Sequence, residues 1–156
     1  MDAPVVLVHG AFHGGWCWRR VAERIAAAGR RVLVPTLTGL GERAHLLSRE
    51  VNLETHIQDV IGMFEAEEVS DAVLVGHSYS GVVITGVAAR IRERIRHLVY
   101  LDSALIEDGQ SWSDALPAEA AAARRKAAAE SSGGLSMPAP DAAFFGVEDA
   151  ADRAWV

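Results

Sequence analysis

At 156 residues, half of them apolar and 23% charged, with a mean hydropathy of +0.13, the chain is sized and composed for one globular domain, which excludes a disordered, collagen-like or low-complexity polymer. Its 15 Lys and Arg against 21 Asp and Glu leave a formal net charge of −6 with the basic residues scattered. That balance argues against nucleic acid or an anionic membrane surface as the main partner. The single cysteine, Cys17, excludes an internal disulfide and a zinc finger, and no apolar run reaches the roughly 18 residues that span a bilayer. From Met1 the chain enters Val5 within a few residues, without the basic stretch and long apolar region of a secretion signal, so a reducing, cytoplasmic location is expected.

Val5–Val8 is a short, mostly β-branched apolar run, the pattern of a strand buried on both faces. A Gly-rich loop, Gly10 to Gly15, leads into a helix whose inward face is expected to carry Trp18, Val21, Ile25 and Ala28, with Gly29 as its stop. Core packing accounts for the cluster of Phe12, Trp16 and Trp18, and Cys17 reads as a small buried apolar residue. Val32–Val34 is a second strand ended by Pro35, and Thr38 to Arg43 reads as loop. Asn52 is a good N-cap for a helix carrying Leu53, Ile57, Val60, Ile61 and Phe64 at three-to-four spacing. Val73–Val75 and Leu98–Leu101 are two more strands, separated by an apolar helix over Val82 to Ala89. Strands alternating with helices predict an α/β fold, a parallel sheet of about four strands with right-handed crossovers. Beyond it an Ala-rich helix over Leu116 to Glu130 is expected, its Arg124-Arg125-Lys126 run a solvated face, then breaks at Ser131-Ser132-Gly133-Gly134 and Pro138-Ala139-Pro140, then a helix over Val147 to Trp155.

The strongest chemical signal is Gly76-His77-Ser78-Tyr79-Ser80-Gly81 between a strand and a helix. A serine on that sharp turn, at the C-terminal edge of a parallel sheet, is lifted clear as a nucleophile. The pattern G-x-S-x-G wants Gly where Ser80 stands, and serine is small enough to be tolerated. The plainer reading is a strand-to-helix turn that merely needs small residues. Acyl transfer also needs two N–H donors for the oxyanion, one from the loop after a neighbouring strand. His9-Gly10-Ala11 sits in such a loop, so the backbone N–H groups of Ala11 and Tyr79 are the candidate pair. Phe12 and His77, which flank these groups, are placed in the substrate pocket. A dinucleotide site would show G-x-G-x-x-G after the first strand, and G-A-F-H-G-G stands there instead.

The segments Val8 to Trp16, Leu37 to Arg43 and Leu74 to Tyr79 together resemble the α/β-hydrolase superfamily. The pattern is closest to its small esterase and hydroxynitrile-lyase branch, which includes plant methyl-salicylate esterases and bacterial pyrethroid-type esterases. The resemblance runs from about Pro4 to about Gln110. It implies a carboxylesterase-like enzyme with Ser78 as nucleophile, Ala11 and Tyr79 lining the oxyanion hole, and a small-molecule ester as substrate. No metal or cofactor is implied, and no particular oligomeric state. The expected organisation is an α/β-hydrolase core over residues 1–103 and the start of a helical cap over 104–156.

The triad order in this fold is Ser, then Asp or Glu, then His. One histidine follows Ser78, His97, at the start of the fourth strand and so roughly 13 Å from the serine at ~3.3 Å per residue; it is not the base. Asp102 ends the fourth strand at the correct edge, where it is either the triad acid or the cap of a turn. The simplest expectation is an incomplete hydrolase whose 156 residues hydrolyse p-nitrophenyl acetate barely above background. Two rivals use the same residues: a non-catalytic small-ligand-binding protein on the hydrolase scaffold, and a hydroxynitrile lyase that uses serine and histidine for acid–base work.

Overall fold

A computed structural model describes residues 2–103 and 105–156. The chain forms two compact units, Met1–Ala115 and Leu116–Val156. The expected core–cap boundary falls at Ala104, outside the described residues.

The first unit is a parallel four-stranded sheet built from β1 (Val5–Val8), β2 (Val32–Leu33), β3 (Ala72–His77) and β4 (Ile95–Leu101), in the order β2-β1-β3-β4. Helices α1 (Arg19–Ala27), α2 (Leu53–Ala66) and α3 (Ser80–Ile91) make the crossovers. The order reverses direction after β2, so β1 and β3 lie side by side at the centre with Val8 opposite Gly76. Their C-terminal ends therefore bring the Gly10 loop beside Ser78, the topological switch point where open α/β sheets place ligands.

The pleat of β1 explains its unbroken apolar run. Val6 and Val8 join the core under α2 and α3, with Phe64, Val60, Leu74 and Ile84. Val5 and Leu7 face the other way and pack with Trp18. Asn52 caps α2 as expected: its side chain accepts from the N–H groups of Glu54 and Thr55, and Thr55 answers to the Asn52 N–H. β4 closes one side of the sheet, and Val99, Tyr100 and Leu101 on it are 39%, 36% and 47% exposed.

Four sequence expectations are corrected. On α1, Ala22 and Ile25 pack beside Trp18, whereas Val21 is 40% exposed and Ala28 is exposed. A 3₁₀ turn over Gly15–Trp18 precedes the helix, and on an α-helical wheel Ala22 and Ile25 lie within about 40° of Trp18 while Val21 lies about 60° to one side. The Thr38 loop contains a 3₁₀ turn, Gly41–Leu46. β4 begins at Ile95, so His97 lies within the strand opposite Val73, exposed and still remote from the elbow.

The fourth correction lies in the second unit, which carries α4 (Ala118–Ser132) and α5 (Ala150–Trp155). α5 starts three residues later than expected because Asp149 caps it, accepting from the N–H groups of Ala151 and Asp152. α4 is displaced in the same sense, beginning and ending two residues later than Leu116 to Glu130, so Ser131 and Ser132 are helical and the break begins at Gly133, left-handed at the helix C-terminus.

Candidate active site

β3 delivers the chain to Ser78, which takes φ +54, a left-handed conformation that L-residues rarely adopt. Neighbouring backbone holds it there. The Ser78 N–H donates to Leu101 C=O at 3.1 Å, and Ser78 C=O accepts from the Gly81 N–H at 3.1 Å. Gly76 permits the turn, because a Cβ there would lie 2.9 Å from the Ser80 carbonyl oxygen and 2.9 Å from Ile84 Cδ1.

Ser80, the departure from G-x-S-x-G, has a structural task. Its hydroxyl is fully buried between the carbonyl oxygens of Val8, at 2.8 Å, and His77, at 2.9 Å. It thus pins the end of β1 to the elbow. Glycine would leave the same turn possible without that link.

The loop after β1 closes on the serine. A Cβ on Gly10 would lie 3.1 Å from Ser78 Cβ and 3.2 Å from His77 Nδ1. His9 is fully buried; its Nδ1 pairs with Gly10 C=O at 2.8 Å, and its Nε2 accepts from the Leu37 N–H at 3.0 Å. A carbonyl only accepts, so the proton sits on Nδ1. Because the peptide is planar and trans, anchoring Gly10 C=O also fixes the direction of the Ala11 N–H. The Gly81 N–H fixes the Tyr79 N–H in the same way, through Ser78 C=O. Both candidate oxyanion donors thus belong to anchored peptides.

Burial is the main reason that His9 is pushed down from 6.5 to about 4, outweighing the bond to Gly10. Unfolded His9 takes up its proton below about pH 6.5, while the folded protein resists until about 4. Across that window the unfolded state binds more protons, so the His9 contribution is fully present above about 6.5 and is lost as pH falls. His9→Gln keeps an acceptor for Leu37 and removes the titration. Unfolding free energies from urea at about pH 7 and about pH 5 are expected to differ less in H9Q than in the parent, by up to about 1.4 kcal/mol per pH unit. Equal slopes would contradict this account.

The other predicted residues are distributed unevenly. His77 ends β3 half-buried and edge-on to Trp18 at 6.2 Å between centroids; burial lowers its basicity, and the Asp102 carboxylate partly restores it. Asp102 is exposed, with φ +45, at the end of β4 beside the elbow strand. Phe12, at φ +68, follows Ala11 in the loop, and His13 Nδ1 pairs with Ala11 C=O at 2.8 Å.

His56, assigned only to a helix by sequence, reaches the elbow. Its Nδ1 lies 2.8 Å from the Tyr79 hydroxyl and its Nε2 lies 3.0 Å from Thr38 C=O. The only available signal was its place one residue before Ile57 on the buried face of α2. Among the described residues no group of three or more His, Cys, Asp and Glu is arranged to hold a metal ion, and no helix is long and apolar enough to cross a membrane.

A left-handed serine between a central parallel strand and a helix, faced by a glycine loop from the adjacent strand, has the backbone arrangement of one fold class. Residues 5–156 match the family model described as alpha/beta hydrolase family, and the chain belongs to that family. It is 52% identical over 162 residues to a carbendazim hydrolyzing esterase from Nocardioides sp. (strain SG-4G), covering 99% of this chain and 66% of that protein. It is 32% identical over 107 residues to a pyrethroid hydrolase from Sphingobium wenxiniae, covering 67% of this chain and 37% of the relative. Among solved structures, an extracellular alpha/beta-hydrolase from a Paenibacillus species superposes with a TM-score of 0.87 at 25% identity, covering 99% of this chain and 64% of that one. The chain therefore spans about two thirds or less of the length of these relatives.

Proposed function

We propose that the protein is a serine hydrolase that cleaves a small carboxylic ester through an acyl-enzyme. The observation that carries this is Ser78, held left-handed at the strand–helix turn with the Gly10 loop packed against its Cβ. Ser78 Oγ attacks the ester carbonyl carbon and gives its proton to a general base. The oxyanion that forms is held by the N–H groups of Ala11 and Tyr79. The C–O bond to the alcohol then breaks, the alcohol leaves with the proton, and water releases the acid from Ser78.

In this reading the base is none of His9, His56 and His97. Both ring nitrogens of His9 and of His56 are bonded elsewhere, and His97 sits opposite Val73. In this reading Asp102 is the acid, Phe12 and His77 line the pocket, and 104–156 belong to the cap. The names of the relatives support an ester substrate. A cytoplasmic location goes with this reading, in keeping with a single, free cysteine, Cys17.

A fluorophosphonate probe, added to the protein expressed from its native gene, is expected to form a covalent adduct on Ser78, located by peptide mass. Adduct formation on no residue, together with a ligand-induced thermal shift and no turnover, would favour the non-catalytic binder instead.

A further inference from the structure

Tyr79 carries one of the two candidate oxyanion donors on its backbone, and its side chain is held at both the ring and the hydroxyl. The ring is edge-on to His56, centroids 5.7 Å apart, and edge-on to Trp112 at 6.3 Å. Burial pushes the phenol up to about 12, so at working pH it is an O–H donor. Thr38 C=O accepts from His56 Nε2 at 3.0 Å, which puts the ring proton there and leaves Nδ1 to accept the phenol at 2.8 Å.

The line continues outward. Thr38 donates its N–H to Asp59 Oδ2 at 2.6 Å and its hydroxyl to Asp59 Oδ1 at 2.8 Å. Asp59, nearly buried, pairs in turn with Arg43 at 3.1 Å. His56 and Asp59 lie three residues apart on one face of α2, so that single helix holds both the elbow tyrosine and the loop after β2.

We infer that His56 is a positioning residue: by accepting the Tyr79 phenol it fixes the Tyr79 backbone N–H in the oxyanion hole and ties that N–H to the Thr38 loop. The inference rests on the serine-hydrolase reading above. A tyrosine has two side-chain torsions, so clamping its far end restricts its Cα strongly. Tyr79 is the cap residue immediately before α3, with φ −51 and ψ −40, and a small rotation there swings its N–H away from a developing oxyanion.

The test uses p-nitrophenyl acetate and protein from the native gene, with active sites counted by fluorophosphonate. Tyr79→Phe removes one oxygen and keeps the ring; kcat is expected to fall about tenfold with KM within about twofold. His56→Ala is expected to do the same, the double variant to be no worse than either single, and His56→Asn, whose Oδ1 stands near the Nδ1 position, to recover most of the rate. Thermal midpoints for each variant separate loss of fold from loss of rate. Unchanged kcat in folded Y79F, or losses that multiply in the double variant, overturns the inference while leaving Ser78 as nucleophile. A rate that survives Ser78→Ala overturns the hydrolase reading and, with it, the role of His56.

Discussion

Ser78→Ala is expected to lower kcat on p-nitrophenyl acetate by about 10⁴-fold or more in the protein expressed from its native gene, with KM changed far less. The size follows from the role proposed for the residue. Without the hydroxyl no acyl-enzyme forms, and only the oxyanion donors and binding remain to act on a direct attack by water. The fold is expected to stay intact, because the conformation of Ser78 is set by backbone bonds to Leu101 and Gly81 that alanine keeps. Left-handed φ costs alanine somewhat more than serine, on the order of 1 kcal/mol, so the thermal midpoint should drop by only a few degrees. Burst kinetics make a second readout: the parent releases one nitrophenolate per active site before the steady state, and S78A releases none. A variant that keeps the parent rate would place the chemistry elsewhere.

Why this site was legible before any coordinates is a matter of range. The elbow is local: a serine on a sharp turn with small neighbours, Gly76 and Ser80, shows in the six residues between a strand and a helix, whereas the positive φ of Ser78 does not. The buried first strand and the Asn52 cap are local as well, and both stand where the sequence predicts. The missed features join residues distant along the chain. His56 and Tyr79 are 23 positions apart, and Ser80 reaches back 72 positions to Val8. Ser80 illustrates the difference well. By motif it is a tolerated deviation, yet the structure makes it the hydrogen-bonded link between β1 and the elbow. The face of α1 was misread for a subtler reason, since the 3₁₀ turn at Gly15–Trp18 leaves Ala22 and not Val21 beside Trp18. On the wheel the two lie only about 40° and about 60° from Trp18, so the larger side chain is the natural choice for the inward face until packing is seen.

Gly76→Val should be the most damaging single change to the elbow, and it acts through folding and chemistry together. A Cβ at Gly76 meets two atoms at 2.9 Å. One is Ile84 Cδ1, the tip of a side chain that can turn aside at modest cost. The other is the carbonyl oxygen of Ser80, in the first turn of α3, and backbone yields only if the helix start moves. Moving it pulls on the Ser80 hydroxyl that holds Val8 and His77, and on the Gly81 N–H that anchors Ser78 C=O. Valine adds two further methyl groups in a region where Ile84, Val83 and Leu74 are fully buried, so there is no room to absorb them. A loss of about 3 kcal/mol in urea unfolding is expected. In the fraction that remains folded, fluorophosphonate labelling of Ser78 should be slower than in the parent, because the donors at Ala11 and Tyr79 are displaced along with the turn. Full stability with slow labelling would mean that α3 shifts freely and that the elbow geometry alone suffers. A stability loss with normal labelling would mean that Ile84 takes up the strain, and that the nucleophile is less tightly coupled to α3 than the bonds at Ser80 and Gly81 imply.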